Sequence, residues 1–141
     1  MKQEYLQLVQ RAVEARRNAY APYSGFAVGA ALLCADGSVF VGCNVENGSY
    51  PAGICAERAA LCAAVSAGKR CFTAIAVAAG DSPTTPCGIC RQALSEFGGL
   101  DVICANHDGS VCRSFSLQEL LPESFSFPDG SIETNRKDDL I

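Results

Sequence analysis

No stretch of this sequence approaches the roughly 20 apolar residues that a membrane span needs. Its first residues carry charges at positions 4, 11, 14, 16 and 17 in place of an uninterrupted apolar core, so no secretory signal peptide is visible either. Positive charge is also short. Eleven Lys and Arg against 15 Asp and Glu give a net charge of -4, which offers no electrostatic footprint for a polyanion. A small neutral ligand is therefore expected, with no nucleic acid and no membrane as partner. Histidine is nearly absent: the one residue, His107, stands in the turn Asn106-His107-Asp108-Gly109 and reads as a solvated turn residue, not a metal ligand. Internal repeats and linkers are lacking too. With 49% hydrophobic residues in 141, the chain is sized for a single domain over residues 1–141 that buries roughly two thirds of its unfolded surface. Its segment from about residue 122 is rich in Pro, Ser and charge.

Cysteine is what the chain has in quantity. Nine of them, an odd number without a visible export signal, read as reduced thiols plus a metal site in a cytoplasmic protein, not as a disulfide framework. Chance alone would give roughly 0.6 Cys-x-x-Cys pairs at this composition. The sequence holds Pro86-Cys87-Gly88-Ile89-Cys90 preceded by Cys55-Ala56-Glu57, a joint pattern far rarer than either part. Cys55, Cys87 and Cys90 supply three thiolates, and three protein ligands leave zinc a fourth position for water, whereas four would close the site. Glu57, two residues past a ligand at a helix start, is placed to carry protons without binding the metal. Three thiolates exceed the charge of Zn²⁺ by one, so a nearby cation should offset them. Arg58 sits one turn past Cys55, and Arg91 and Gln92 flank Cys90, which makes Arg58 and Gln92 candidates for tuning the metal charge. The competing readings are a redox dithiol or structural zinc clip for the pair and an ordinary first-turn Glu for Glu57. The remaining cysteines, Cys34, Cys43, Cys62, Cys71, Cys104 and Cys112, are expected to act as small apolar core residues.

Along the chain, Leu6, Val9, Ala12, Val13 and Arg16 recur at helical spacing over residues 3–18, which predicts an opening amphipathic helix. Residues 26–35 and 38–45 read as two strands joined by Asp36-Gly37, a dipeptide suited to a hairpin. Residues 55–67 form a helix-prone run stopped by Gly68. Residues 72–79 read as a buried strand, Pro86 opens a helix to about residue 97, and residues 100–105 and 111–115 are further strands, followed by a short helix over 116–121. This order predicts a three-layer α-β-α fold with a five-stranded mixed sheet whose middle strands are made parallel by β-α-β crossovers. Both cysteine motifs fall at helix N-termini, where free NH groups converge.

The motifs resemble the zinc signature of nucleobase deaminases. Ala21-Pro22-Tyr23-Ser24-Gly25-Phe26, Gly42-Cys43-Asn44-Val45-Glu46-Asn47, Cys55-Ala56-Glu57-Arg58, Cys90-Arg91-Gln92 and Leu120-Leu121-Pro122 with Phe125 are similar to segments of the short, homotetrameric, three-cysteine cytidine deaminases. The resemblance covers most of residues 5–125. It implies one Zn²⁺ per chain and hydrolytic deamination of cytidine and 2'-deoxycytidine, with Glu57 shuttling protons, as part of pyrimidine salvage. It also implies that Asn44 and Glu46 bind the ribose hydroxyl, that Phe26 packs on the pyrimidine, that the Ala56 NH meets the base, and that Phe125 enters a neighbouring subunit's site in a homotetramer with shared active sites. Taken singly, Asn44 and Glu46 would be strand-end turn residues and the phenylalanines core packing. A related deaminase acting on an aminonucleoside antibiotic or free base, and a zinc-stabilised binding module, are the rival readings. The chain departs from the family at Ile89, where a smaller residue is usual, and in a longer tail after Phe125.

Overall fold

The computed structural model describes residues 1–128. The chain opens with α1 (Gln3–Arg16) and continues through a hairpin of β1 (Val28–Cys34) and β2 (Val39–Cys43). After a loop with one 3-10 turn at Tyr50–Ala52 come α2 (Ala56–Ser66), β3 (Phe72–Ala79), α3 (Gly88–Ser95), β4 (Asp101–Ala105), β5 (Cys112–Ser116) and a final turn of helix, α4 (Leu117–Leu120). The five strands form one sheet in the order β2-β1-β3-β4-β5.

Period-2 alternation in the strands sorts the core into two layers. Ala31 and Leu33 of β1, Ala74, Ala76 and Ala78 of β3, and Ile103 and Ala105 of β4 pack under α1. Their sequence neighbours Ala30, Leu32, Ile75, Val102 and Cys104 face the other way, against Ala56, Ala60, Leu61 and Ala64 of α2 and Leu94 of α3. The sheet thus carries helices on both faces, as expected, and it is mixed. The parallel centre is smaller than the alternation predicts: β3 pairs parallel only with β4, and antiparallel with β1. The β2-α2-β3 crossover passes over β1, so the strand that β3 meets runs against β2.

Two glycines set how closely the helices approach. A Cβ on Gly29 would lie 2.0 Å from the Ala12 carbonyl oxygen of α1, and one on Gly42 would lie 2.5 Å from the Ala60 nitrogen of α2. Backbone contacts of this kind admit no side chain, so β1 and β2 hold their helices through bare backbone.

The helical stripe of α1 is rotated from the expected one. Tyr5, Leu8, Val9, Ala12 and Ala15 are buried, while Leu6 is 42% exposed. Both stripes share Val9 and Ala12; the observed one also buries Leu8 and lets the Tyr5 hydroxyl donate to Asp101 Oδ2 of β4 at 2.7 Å. Burial, then this hydrogen bond to a carboxylate, pushes the Tyr5 hydroxyl up to about 12. The hairpin at Asp36-Gly37 is also looser than a two-residue turn. Cys34 N donates to Ser38 O, Gly37 N donates to Cys34 O, and Gly37 takes φ +90°, the pattern of a three-residue loop closed by a left-handed glycine.

Candidate active site and metal centre

Cys55 and Cys87 are the N-cap residues of α2 and α3, both in extended backbone and neither using its side chain as a cap. Their thiols are therefore left to point away from the helix ends, towards each other. Cys90, in the first turn of α3, is fully buried. The three sulfur atoms all lie within 4.8 Å of one another, and Cys55 Sγ is 3.7 Å from Cys87 Sγ. In a tetrahedral site with Zn–S bonds of about 2.3 Å, two thiolates stand about 3.8 Å apart. The spacing fits zinc, as does the softness of the donors. Among the described residues, no other Cys, His, Asp or Glu joins this group as a ligand, so the set has the open, three-ligand character of a catalytic centre.

Glu57, in the first turn of α2, is only 4% exposed. Burial raises the pKa of its carboxyl, with its own backbone NH and the charge of Arg58 pulling the other way. Such a carboxyl holds a proton closer to neutral pH than an exposed one, which is what a proton carrier requires. The Cys90 thiol is also pushed up, first by burial and then by the charge of Glu57. Cys87 behaves oppositely: burial would raise it, but the backbone NH of Cys90, the Cys90 and Cys55 side chains and the Ile89 NH together lower it. These NH groups belong to the α3 N-terminus, where helix donors have no intrahelical acceptor.

Arg58 is a cation placed against the thiols. Its Nη2 lies 3.6 Å from Cys55 Sγ, and bonds to the Cys55 and Cys90 thiols, in that order, raise its own pKa. Its Nε is buried without a partner, so the guanidinium is turned towards sulfur at the expense of that donor. Gln92 is placed differently from the expectation: its Nε2 donates to the Phe125 carbonyl oxygen at 3.0 Å. It lies two residues past Cys90, about 200° around the helix, which carries its side chain to the C-terminal segment.

A cavity of about 600 Å³ opens in front of Cys55, Cys87 and Glu57. Phe26, Asn44, Glu46 and Ala56 all line it. Asn44 clasps the chain entering β1, accepting from Val28 N and donating to the Phe26 carbonyl oxygen, both at 2.8 Å. Glu46 accepts from the Tyr23 and Ser24 NH groups and from the Ser24 hydroxyl. The Ser24 bonds hold its carboxyl below the usual carboxylate range. Ala56 is the first residue of α2, one of the positions whose NH groups have no acceptor within the helix. Phe125 is outside this wall: it is 69% exposed and packs edge-to-face with Phe127, ring centroids 5.6 Å apart.

Tyr50, Ile54, Thr84 and Thr85 also line the cavity; the sequence carries no signal for them, since they lie in loops without a chemical signature of their own. Ile89, 65% exposed, stands at the same rim. His107 is exposed, as expected, and both its backbone NH and its Nδ1 meet the Gly80 carbonyl oxygen, at 2.8 and 3.0 Å. Of the six cysteines expected in the core, Cys34 and Cys104 are buried and Cys62 is exposed. Cys62 falls on the solvent side of α2, between the buried Leu61 and Ala64.

Comparison with known proteins agrees with this geometry. Residues 2–106 match the family model of the cytidine and deoxycytidylate deaminase zinc-binding region, a span that contains all three thiols and Glu57. Cytidine deaminases of Sporosarcina psychrophila and Halalkalibacterium halodurans are 46% and 47% identical over 125 residues, covering 86% of this chain and 91% and 94% of theirs. The crystal structure of cytidine deaminase from Burkholderia pseudomallei superposes with a TM-score of 0.81 at 47% identity, covering 89% of this chain and all of that one. That from Mycobacterium tuberculosis gives 0.78 at 44% identity, again covering 89% of this chain and all of that one. With its three-thiol zinc site, its buried Glu57 and its α-β-α fold, the chain belongs to the zinc-dependent cytidine and deoxycytidylate deaminase family.

Proposed function

We propose that this protein hydrolyses cytidine and 2'-deoxycytidine to uridine and 2'-deoxyuridine, releasing ammonia, within pyrimidine salvage in the cytoplasm. The observation that carries the reading is a buried carboxyl, Glu57, that lines a cavity together with Cys55 and Cys87, whose sulfur atoms the buried Cys90 thiol joins within 4.8 Å. Cys55, Cys87 and Cys90 would hold Zn²⁺, which when bound would supply Lewis-acid activation of the attacking water. Glu57 accepts a proton from that water and delivers it to ring nitrogen 3 as the water oxygen bonds to carbon 4. It then carries the second proton to the exocyclic amine, which leaves as ammonia. One such positioned carrier is worth typically about 10² to 10⁴ in rate.

Asn44 and Glu46 take the ribose hydroxyl in this reading, Phe26 the pyrimidine face and the Ala56 NH the base. Both polar side chains are held by local hydrogen bonds, which fixes their orientation before substrate arrives. Arg58 tunes the metal charge. An exposed Phe125 outside its own cavity supports a homotetramer in which it covers a neighbour's site and excludes water; a monomer with full activity would contradict this.

The test is an activity assay on cytidine, 2'-deoxycytidine, cytosine and adenosine, repeated after chelation. Turnover of both cytidine nucleosides, abolished by the chelator and restored by zinc, is expected. Preference for cytosine or for an aminonucleoside without the ribose hydroxyl contacts would favour the related deaminase reading instead.

A further inference from the structure

Arg91 follows Cys90 directly, and its guanidinium meets three acceptors at once. Nε donates to the Pro86 carbonyl oxygen at 2.7 Å, Nη2 to Thr85 Oγ1 at 2.9 Å and Nη1 to the Leu120 carbonyl oxygen at 2.6 Å. The first two belong to the stretch that enters α3: Thr85 lines the cavity, and Pro86 immediately precedes Cys87. The third closes α4, whose last carbonyls have no partner within the helix. One half-buried, planar cation therefore joins the backbone that aims a metal ligand to the segment that leads to Phe125. Gln92 adds a second tie from the same helix, to the Phe125 carbonyl oxygen.

We propose that Arg91 is a positioning residue that couples metal retention to the seating of the C-terminal segment. By fixing Thr85 and Pro86 it sets the direction of the Cys87 side chain towards Cys55 and Cys90. By holding Leu120 with the same rigid fork it makes the order of residues 117–125 depend on that loop. Coupling of this kind is reciprocal, so metal steadies the segment and the segment steadies the metal. Lysine cannot substitute, because a single ammonium lacks the fork that spans three acceptors.

The experiment uses zinc-loaded, full-length wild type, Arg91→Ala, Arg91→Lys and Gln92→Ala. Two quantities are followed: zinc release to an excess of a chromogenic chelator, and amide hydrogen exchange over residues 117–121 in the loaded state. Arg91→Ala should release zinc about 10- to 100-fold faster, the range seen when a group that orients a ligand is lost. It should also exchange faster over 117–121 while α1 and β1 keep their protection. Arg91→Lys should follow Arg91→Ala in both readouts, and Gln92→Ala, which loses only the tie at Phe125, should speed zinc release less than Arg91→Ala does. Unchanged zinc release in Arg91→Ala, or Arg91→Lys behaving as wild type, would overturn the proposal. If Arg91→Ala does not fold, the wild type decides alone: stripping its zinc should raise exchange over 117–121 more than in β1, and equal responses would contradict the coupling. The inference rests on the zinc reading of the three thiols; wild type without stoichiometric zinc would overturn both, and normal zinc with an unaffected Arg91→Ala this one alone.

Discussion

Three thiolates leave one negative charge that Zn²⁺ does not cancel, and a surplus charge makes any proton in the site harder to remove. Arg58 is the cation that faces it, reaching Cys55 Sγ at 3.6 Å. It also lowers the pKa of Glu57, against the larger effect of burial. Replacing it by Gln removes both effects in the same direction: the attacking water and Glu57 each hold their protons more tightly. The acidic limb of the pH–rate profile of Arg58→Gln should therefore move to higher pH, the direction that loss of a nearby opposite charge implies. A profile measured at full zinc occupancy with its limb in the wild-type position would mean that Arg58 serves only as a strut. Cys55, Glu57, Cys87 and Cys90 were legible in the sequence because a metal centre fixes both residue type and spacing. The direction of Gln92 was not, because its amide is drawn to a carbonyl 33 positions away in sequence.

At the scale of elements, the close fit of β2 under α2 depends on a residue without a side chain. Gly42→Ala would force a methyl group to within 2.6 Å of the Ala56 carbonyl oxygen and 2.5 Å of the Ala60 nitrogen. Backbone cannot give way as a flexible side chain can, so the substitution should cost about 1–3 kcal/mol or more, the range for overpacking. Denaturant unfolding would read it, and an unchanged midpoint would show that α2 rides freely on the sheet. Element order was legible because helix and strand periods differ and Gly and Pro mark the breaks. Strand adjacency was less so. Nothing local in residues 72–79 says that β3 pairs with β1 instead of β2; that choice is made by where α2 can pack, a long-range property. The stripe of α1 departs from the expected one for a related reason, since the hydrogen bond from Tyr5 to Asp101 spans most of the chain.

For the whole molecule, sheet and helices serve to bring two helix N-termini to one cavity floor. α2 presents Cys55 and Glu57, α3 presents Cys87 and Cys90, and the loops around residues 44–54 and 84–85 wall the space above them. The thiols and Glu57 thus sit at the starts of regular elements, while Phe26, Asn44 and Glu46, the side chains proposed to meet the substrate, lie in loops, which is why the first follow from motifs and the second come largely from the family resemblance. The central claim is a division of labour: the thiols hold zinc, and Glu57 moves protons without holding it. The most direct test is zinc content and turnover of Glu57→Gln measured on the same sample. The account predicts one zinc per chain, an unaltered fold and a loss of turnover of at least about 10²-fold; near-normal turnover, or loss of the metal together with activity, would contradict it.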